Sequence, residues 1–337
     1  MKKALFLLLI VPLLLICCNK KSTVAKQTES AKINSVSIII DDNLWNGAIG
    51  DSLRNKFASP VIGLPQEEPL FTINQYPLKL LEGYVADSRN IIVIKKEDSG
   101  AGDYFKITEN QYATPQTVVS ISGKTTAGIL DLIEKHAPEI ISRIRSAEIA
   151  ENQRQIRESE IKDDKIVRKF RISVDIPVGY RFVFQRRKFL WLKKGITSGS
   201  TSLLIYEIPQ SAIHNKSDIV SSIIRVRDSI GRKYIHGTRQ QTNMVTENSY
   251  TPYFLNTAIN GKTTYETRGT WELNNDFMSG PFVNYWISDP ANKRFLVLEG
   301  FCYAPSREKR DLMFELEAIM KSANFTIKNR HGPKLAN

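Results

Sequence analysis

The sequence predicts an α+β protein of two domains: an N-terminal α/β-type layered domain and a C-terminal antiparallel sheet packed with two helices, joined by a long helix. Three observations carry that reading. Short apolar runs alternate with stretches of helical spacing up to Ser122, as when strands and helices share one layered unit. From Thr125 the pattern stays helical for about 35 residues. Beyond residue 163, strand-like runs follow one another with turn residues between them, including the strong hairpin signal Asn260-Gly261. A chain of 337 residues also exceeds what one hydrophobic core usually serves.

Residues 1–17 read as a lipoprotein signal peptide and 18–34 as a flexible tether. Lys2 and Lys3 precede an apolar run from Ala4 to Ile16 that is too short for a membrane span. Leu15-Ile16-Cys17-Cys18 then resembles the bacterial lipobox, with Cys18 at the lipidated position. The following residues are polar and free of aromatics.

The N-terminal domain with its bridging helix is placed at 35–162. It opens on a strand, Val36–Asp41. One helix carrying Leu44, Trp45, Ile49, Leu53 and Phe57 is expected next, capped by Asp42 or Asn43 and ended by Pro60. Leu70–Asn74, Asn90–Lys95 and Gln116–Ser122 read as further strands, Leu78–Tyr84 as a short helix and Asp98–Gly102 as a loop. Pro138 is expected to divide the long helical stretch. The polar run after Ala150 is expected to be an exposed bridge.

The C-terminal domain is placed at 163–326. Its expected strands are Phe170–Pro177, Tyr180–Phe184, Phe189–Lys193, Ser202–Ile208, Tyr253–Ile259, Thr263–Trp271, Phe282–Ser288 and Arg294–Tyr303. Its helices are Ser217–Tyr234 and Ser306–Ala323, the latter capped by Ser306. Residues 327–337 read as a polar tail.

The net charge of +12 is concentrated: from Arg143 to Lys194 the sequence has fifteen Lys or Arg against seven Asp or Glu. Such a surplus suits an anionic lipid or acidic polymer. An exported chain meets neither ATP nor nucleic acid, so no nucleic-acid partner is expected. Within this stretch Tyr180, Phe182, Phe184, Phe189 and Trp191 interleave with cations, and the candidate binding residues are Arg181, Arg186, Arg187, Lys188 and Trp191.

Catalytic signatures are weak. Gly123-Lys-Thr-Thr126 lacks the upstream glycine of a phosphate-binding loop, Val118 standing in its place. His136, His214, His236 and His331 show no metal spacing, and no cofactor, metal or catalytic residue is assigned. Cys302, in a strand-like run, reads as a small buried hydrophobe. For an envelope hydrolase with a site between the domains, the first groups to inspect are Asp41, Asp42, Glu67 and His236.

Asp42-Asn-Leu-Trp45 with Gly50-Asp51, Gly63-Leu-Pro-Gln-Glu-Glu-Pro-Leu-Phe71, Gly269-Thr-Trp271, Gly280-Pro-Phe-Val-Asn-Tyr-Trp286 and Phe301-Cys-Tyr-Ala-Pro305 stand out as motifs without known chemistry. On these, nearly the whole mature chain resembles the DUF4837 family of uncharacterised Bacteroidetes lipoproteins. The resemblance implies an outer-membrane or periplasmic lipoprotein and no activity. The resulting expectation is a non-catalytic envelope lipoprotein, anchored through Cys18 and facing the periplasm, that binds an anionic envelope component or an envelope protein. The oligomeric state is left open.

Overall fold

A computed structural model describes residues 26–27, 32–97, 102–213 and 218–325. The signal peptide, Cys18, His214, His331, most of the Asp98–Gly102 loop and the 327–337 tail lie outside the described residues. Among those described, no helix is long and apolar enough to cross a membrane. Two large sheets, each packed with helices, organise the described residues as an α+β fold of two domains.

The first sheet has five strands: β2 (Ser35–Ile39), β3 (Thr72–Tyr76), β4 (Asn90–Lys96), β7 (Thr117–Gly123) and β5 (Tyr104–Glu109). Their order is β3-β2-β4-β7-β5, parallel except for β5. Both faces of its centre are covered, which is why Ile38–Ile40 and Ile91–Ile94 are unbroken apolar runs. On one face Ile38, Ile92, Ile94 and Val119 pack against α2 (Ala48–Phe57) and α4 (Thr126–Glu158). On the other, Ile39, Ile91 and Val93 meet Val85 of the short α3 (Gly83–Ala86). A two-residue strand β1 (Lys26–Gln27), within the stretch expected as tether, pairs in parallel with β6 (Ala113–Thr114).

Four local expectations are corrected here. The helix after β2 is two helices, α1 (Asp42–Trp45) and α2, because Gly47 turns extended between them. Neither Asp42 nor Asn43 caps it: Asp41 is the N-cap, through its backbone carbonyl, and the Asp42 side chain accepts from Gln75 instead (3.0 Å). Pro138 does not divide α4, which runs unbroken for 33 residues, about 50 Å. Its apolar stripe continues across the proline through Ile133, Ala137, Ile140 and Ile144, all sealed in the first core; that packing outweighs one missing hydrogen bond. The run after Ala150 is no exposed bridge either. Gln153 donates to the Ala318 carbonyl (3.0 Å), and Ile156 enters the second core.

The second sheet has eight strands: β8 (Arg181–Arg186), β9 (Phe189–Ile196), β10 (Gly199–Pro209), β11 (Met244–Thr246), β12 (Tyr253–Ile259), β13 (Lys262–Leu273), β14 (Ser279–Asp289) and β15 (Arg294–Tyr303). The order is β11-β13-β14-β15-β10-β9-β8, all antiparallel, with β12 beside β11 along the same edge of β13. Asn260 and Gly261 take φ of 50° and 71°, as the primed two-residue turn requires. One face carries α7 (Arg310–Lys321) through Met313, Leu316, Ile319 and Met320; the other carries α6 (Ile219–Tyr234) through Ile223. Cys302 is sealed on the α7 face, where burial pushes its thiol up to about 12.

Phe170–Pro177, expected as a strand, is the end of a short helix α5 (Lys165–Phe170) and then an irregular stretch. Its alternate residues Phe170, Ile172 and Ile176 are buried as a strand's would be. Its backbone, however, joins Asn324 and Glu160 by single bridges rather than a ladder (Ser173 N–H to Asn324 C=O, 3.0 Å).

Candidate functional site

The domain junction is built from buried charges. In the Gly63–Phe71 motif, Leu64 packs on the second core while Phe71 is sealed in the first. Between them Glu68 is buried, and its carboxylate accepts from the Lys309 amide (2.7 and 2.9 Å) and the Arg310 amide (2.7 Å). A loop of one domain thus caps the first turn of a helix in the other, supplying both acceptor and charge to amides that the helix itself leaves unpaired. Ser306 makes no such cap, and α7 starts four residues later than expected. Gly63 has φ of +84°, and a Cβ there would stand 2.8 Å from Arg268 Cβ, so only glycine lets the loop close on β13.

Two further clusters complete the junction. Arg145 of α4 and Arg268 of β13 both donate to one oxygen of Glu317 on α7 (2.9 and 2.8 Å), and Lys321 donates to the other (2.7 Å). Burial works to raise this carboxyl; Arg268, Arg145 and Lys321 outweigh it and hold it well below the usual carboxylate range. Glu148, fully buried, accepts from Arg89 (2.9 and 3.0 Å), Asn90 (2.8 Å) and the Asn34 amide (2.8 Å), while Asn34 also donates to Asp311 on α7 (3.1 Å). These carboxylates are saturated by partners and have no oxygen left for a substrate proton.

The four groups proposed for hydrolysis do not converge. Asp41, Asp42, Glu67 and His236 are all exposed, on the end of β2, the start of α1, the motif loop and the end of α6. Gly123-Lys-Thr-Thr126 is occupied structurally: Thr125 accepts from the Gly128 amide (3.0 Å), and a Cβ on Gly128 would lie 2.7 Å from the Asp103 carboxylate. That carboxylate stands where a phosphate would need to sit.

Eight of the fifteen cations are paired. Arg157 meets Asp175, Lys165 meets Asp163, Arg168 meets Asp164, and Lys194 bonds Glu315 (2.6 Å) on α7. Tyr180 is buried and bonded to Thr201 (2.9 Å), so it is no surface aromatic.

Arg186, Arg187 and Lys188 come together at the β8–β9 turn. They line a concavity of about 490 Å³ together with Lys233 and Tyr234 from the end of α6. The floor is aromatic: Tyr234 stacks on Phe189 (4.2 Å, 24°) and lies 5.5 Å from Phe184, over which Arg186 sits at 4.5 Å. A β-bulge between Phe182 and Phe184 makes this possible. It sends Phe182 to the α7 face and Phe184 to the α6 face, where plain alternation would keep both on one side. Arg186, Arg187 and Lys233 have no ion-pair partner among the described residues, and Lys188 has only Glu207 at 3.8 Å.

The structure therefore joins three of the five candidate binding residues and separates two. Arg181 is exposed at the other end of β8, across from Lys193, and Trp191 is half-buried with its indole N–H bonded to Ser202 (3.1 Å). Lys233 and Tyr234 were missed; their place in the last turn of an amphipathic helix gives no hint that the turn ends beside a hairpin.

Residues 30–157 match the family model of a domain of unknown function, DUF8532, and residues 159–322 that of another, DUF4837. The motifs at Asp42–Trp45 and Gly63–Phe71 fall in the first match, and those from Gly269 to Pro305 in the second. No curated protein matches the chain. The DUF4837 match thus covers the second sheet with α6 and α7, and the first domain, expected to share in that resemblance, matches DUF8532 instead.

Proposed function

We propose that this protein is a lipid-anchored cell-envelope protein, held by acyl chains on Cys18, that binds a phosphate-bearing envelope component without transforming it. The observation that supports this reading most is the concavity of Arg186, Arg187, Lys188 and Lys233 over Tyr234, cationic and nearly free of internal partners. Guanidinium forks suit phosphate oxygens, and the exposed aromatic edge suits the sugar or glycerol that carries them. The saturated carboxylates at the junction favour binding over hydrolysis.

Two measurements test it. Calorimetry of the full-length Cys18→Ser chain, which carries no acyl anchor, with inorganic pyrophosphate, and its co-sedimentation with phosphatidylglycerol vesicles, should show binding that weakens with salt. Replacing Arg186, Arg187 and Lys188 together by Ser should abolish it with an unchanged circular dichroism spectrum. Equal binding by that variant would remove the concavity from the proposal. Mass spectrometry of the amino-terminal peptide tests the anchor separately: Cys18→Ser should leave the peptide unacylated and the protein free of the membrane fraction.

A further inference from the structure

The two edges of the second sheet are built differently. At one edge β8 carries Arg181, Arg186 and a bulge, the usual guards against pairing with a stray strand. At the other, β12 reads Tyr253-Phe-Leu-Asn-Thr-Ala-Ile259, with no charge, proline or bulge. From Asn248 to Gly261 the chain has no charged residue, although 24% of its residues are charged. Three exposed large apolar side chains lie in this same segment: Tyr250 (78% exposed), Tyr253 (55%) and Leu255 (47%).

The turn fixes which backbone groups are free. With a two-residue Asn260-Gly261 turn, Ile259 and Lys262 form the closing hydrogen-bonded pair. Tyr253, Leu255 and Thr257 then direct their amides and carbonyls to β13. Phe254, Asn256 and Ala258 direct theirs outward, and no hydrogen bond reaches them from any described residue.

We infer that β12 is a self-association edge, which pairs antiparallel with β12 of a second copy about a two-fold axis at Asn256. That register sets Asn256 against itself and Phe254 against Ala258, so all outward amides and carbonyls of both strands are satisfied. On one face the bulky Phe254 meets the small Ala258; on the other Leu255 meets Thr257 and Tyr253 meets Ile259. No like charges oppose, which matters for a chain of net charge +12. Tyr250, three residues before the strand, extends the contact beyond it, where a lone strand pair would bury too little. The other occupant within reach is the chain's own carboxyl-terminal segment, since the Phe325 amide contacts Asn260 (3.4 Å) at the end of β12. Its Lys328, Arg330 and Lys334 make it the less suitable strand for an apolar edge.

Sedimentation of the detergent-solubilised full-length chain from about 1 to about 100 μM should carry the protein mass from one chain to two. Asn256→Lys, which sets two ammonium groups on the axis, should hold it at one chain with an unaltered circular dichroism spectrum. Asn256→Cys should cross-link on mild oxidation well above the unsubstituted chain, because paired Cα atoms across such a ladder lie about 5.5 Å apart. Tyr253→Cys should not, its copy being about 20 Å along the strand. A single-chain mass at every concentration overturns the inference, as does a dimer that survives Asn256→Lys. Dimerisation seen only after deletion of residues 326–337 overturns it as well, and names the tail as the occupant.

Discussion

Replacing Glu68 by Ala tests whether the domain junction is held by a cap donated from one domain to the other. The buried carboxylate makes three short bonds to the Lys309 and Arg310 amides. Losing an ordinary side-chain N-cap costs about 1 kcal/mol. Here the amides are also buried, and hydrogen bonds to a charged group contribute about 1.5–3 kcal/mol. The dipole of α7 adds up to about 2 kcal/mol in a partly buried geometry. These terms overlap, so Glu68→Ala is expected to cost about 3 kcal/mol, and Glu68→Gln, which keeps one acceptor and loses the charge, about half that. Glu67→Ala, one residue away and exposed, should stay within about 0.5 kcal/mol. Urea unfolding of the full-length chain reads all three, and Trp45 reports on the first domain while Trp191, Trp271 and Trp286 report on the second. The two groups of reporters should separate into successive transitions in Glu68→Ala, because the substitution frees one domain from the other. A Glu68→Ala midpoint equal to that of Glu67→Ala would refute the reasoning.

The Cys302 thiol, pushed up to about 12 by burial, should resist alkylation at pH 8 in the folded chain and react only on unfolding, as peptide mapping with iodoacetamide will show. Arg227 and Glu299 face each other at 3.0 Å, both nearly fully buried, without the alignment of a hydrogen bond. Arg227→Met should cost about 3–5 kcal/mol by stranding the carboxylate, and the double variant with Glu299→Gln distinctly less, in thermal or urea unfolding. Glu317, held well below its unfolded value, gives stability that is complete above the unfolded carboxylate range near pH 4.3 and is lost as pH falls towards its folded value. Acid titration of Arg145→Ala should therefore show a smaller loss across that window than the unsubstituted chain.

What the sequence disclosed and what it withheld divide by range. Asn260-Gly261 specified its hairpin because the two residues alone satisfy the turn's positive φ. Asn90–Lys96 and Arg294–Tyr303 were legible because their centres, Ile91–Ile94 and Phe295–Leu298, are buried on both faces and apolar without a break. Tyr104–Glu109 went unread: as an edge strand it alternates Phe105 and Ile107 with polar residues, a weak signal in so short a run. Ser306 looked like a helix cap by position, and only the fold brings Glu68, over two hundred residues away, to the amides first. The same holds for the concavity. Arg186, Arg187 and Lys188 are adjacent in sequence and were found; Lys233 and Tyr234 arrive through the packing of α6 and were not. The surplus from Arg143 to Lys194 overstated the patch, because charge counting cannot see that Arg145 and Lys194 are met by Glu317 and Glu315 of α7.

The concavity and the self-association edge lie at opposite ends of one sheet, which gives the two proposals a joint consequence. From β12 to β8 the ladder takes six steps, about 30 Å at 4.8 Å each. A dimer paired through β12 would therefore present its two basic turns at the outer ends of a continuous sheet, with neither turn buried by the contact. Free pyrophosphate engages one turn at a time and should bind Asn256→Lys and the unsubstituted chain alike. A vesicle surface that both turns reach holds the second at a raised effective concentration, so Asn256→Lys should lose about tenfold or more in vesicle affinity. The twist between neighbouring strands decides whether this holds. At about 20–25° per strand the two outer turns rotate well away from each other across the dimer, and only curvature of the membrane or reach of the Arg and Lys side chains brings both to one surface. Equal vesicle binding by dimer and Asn256→Lys would mean that twist keeps one turn off the membrane, leaving it open to a second envelope component.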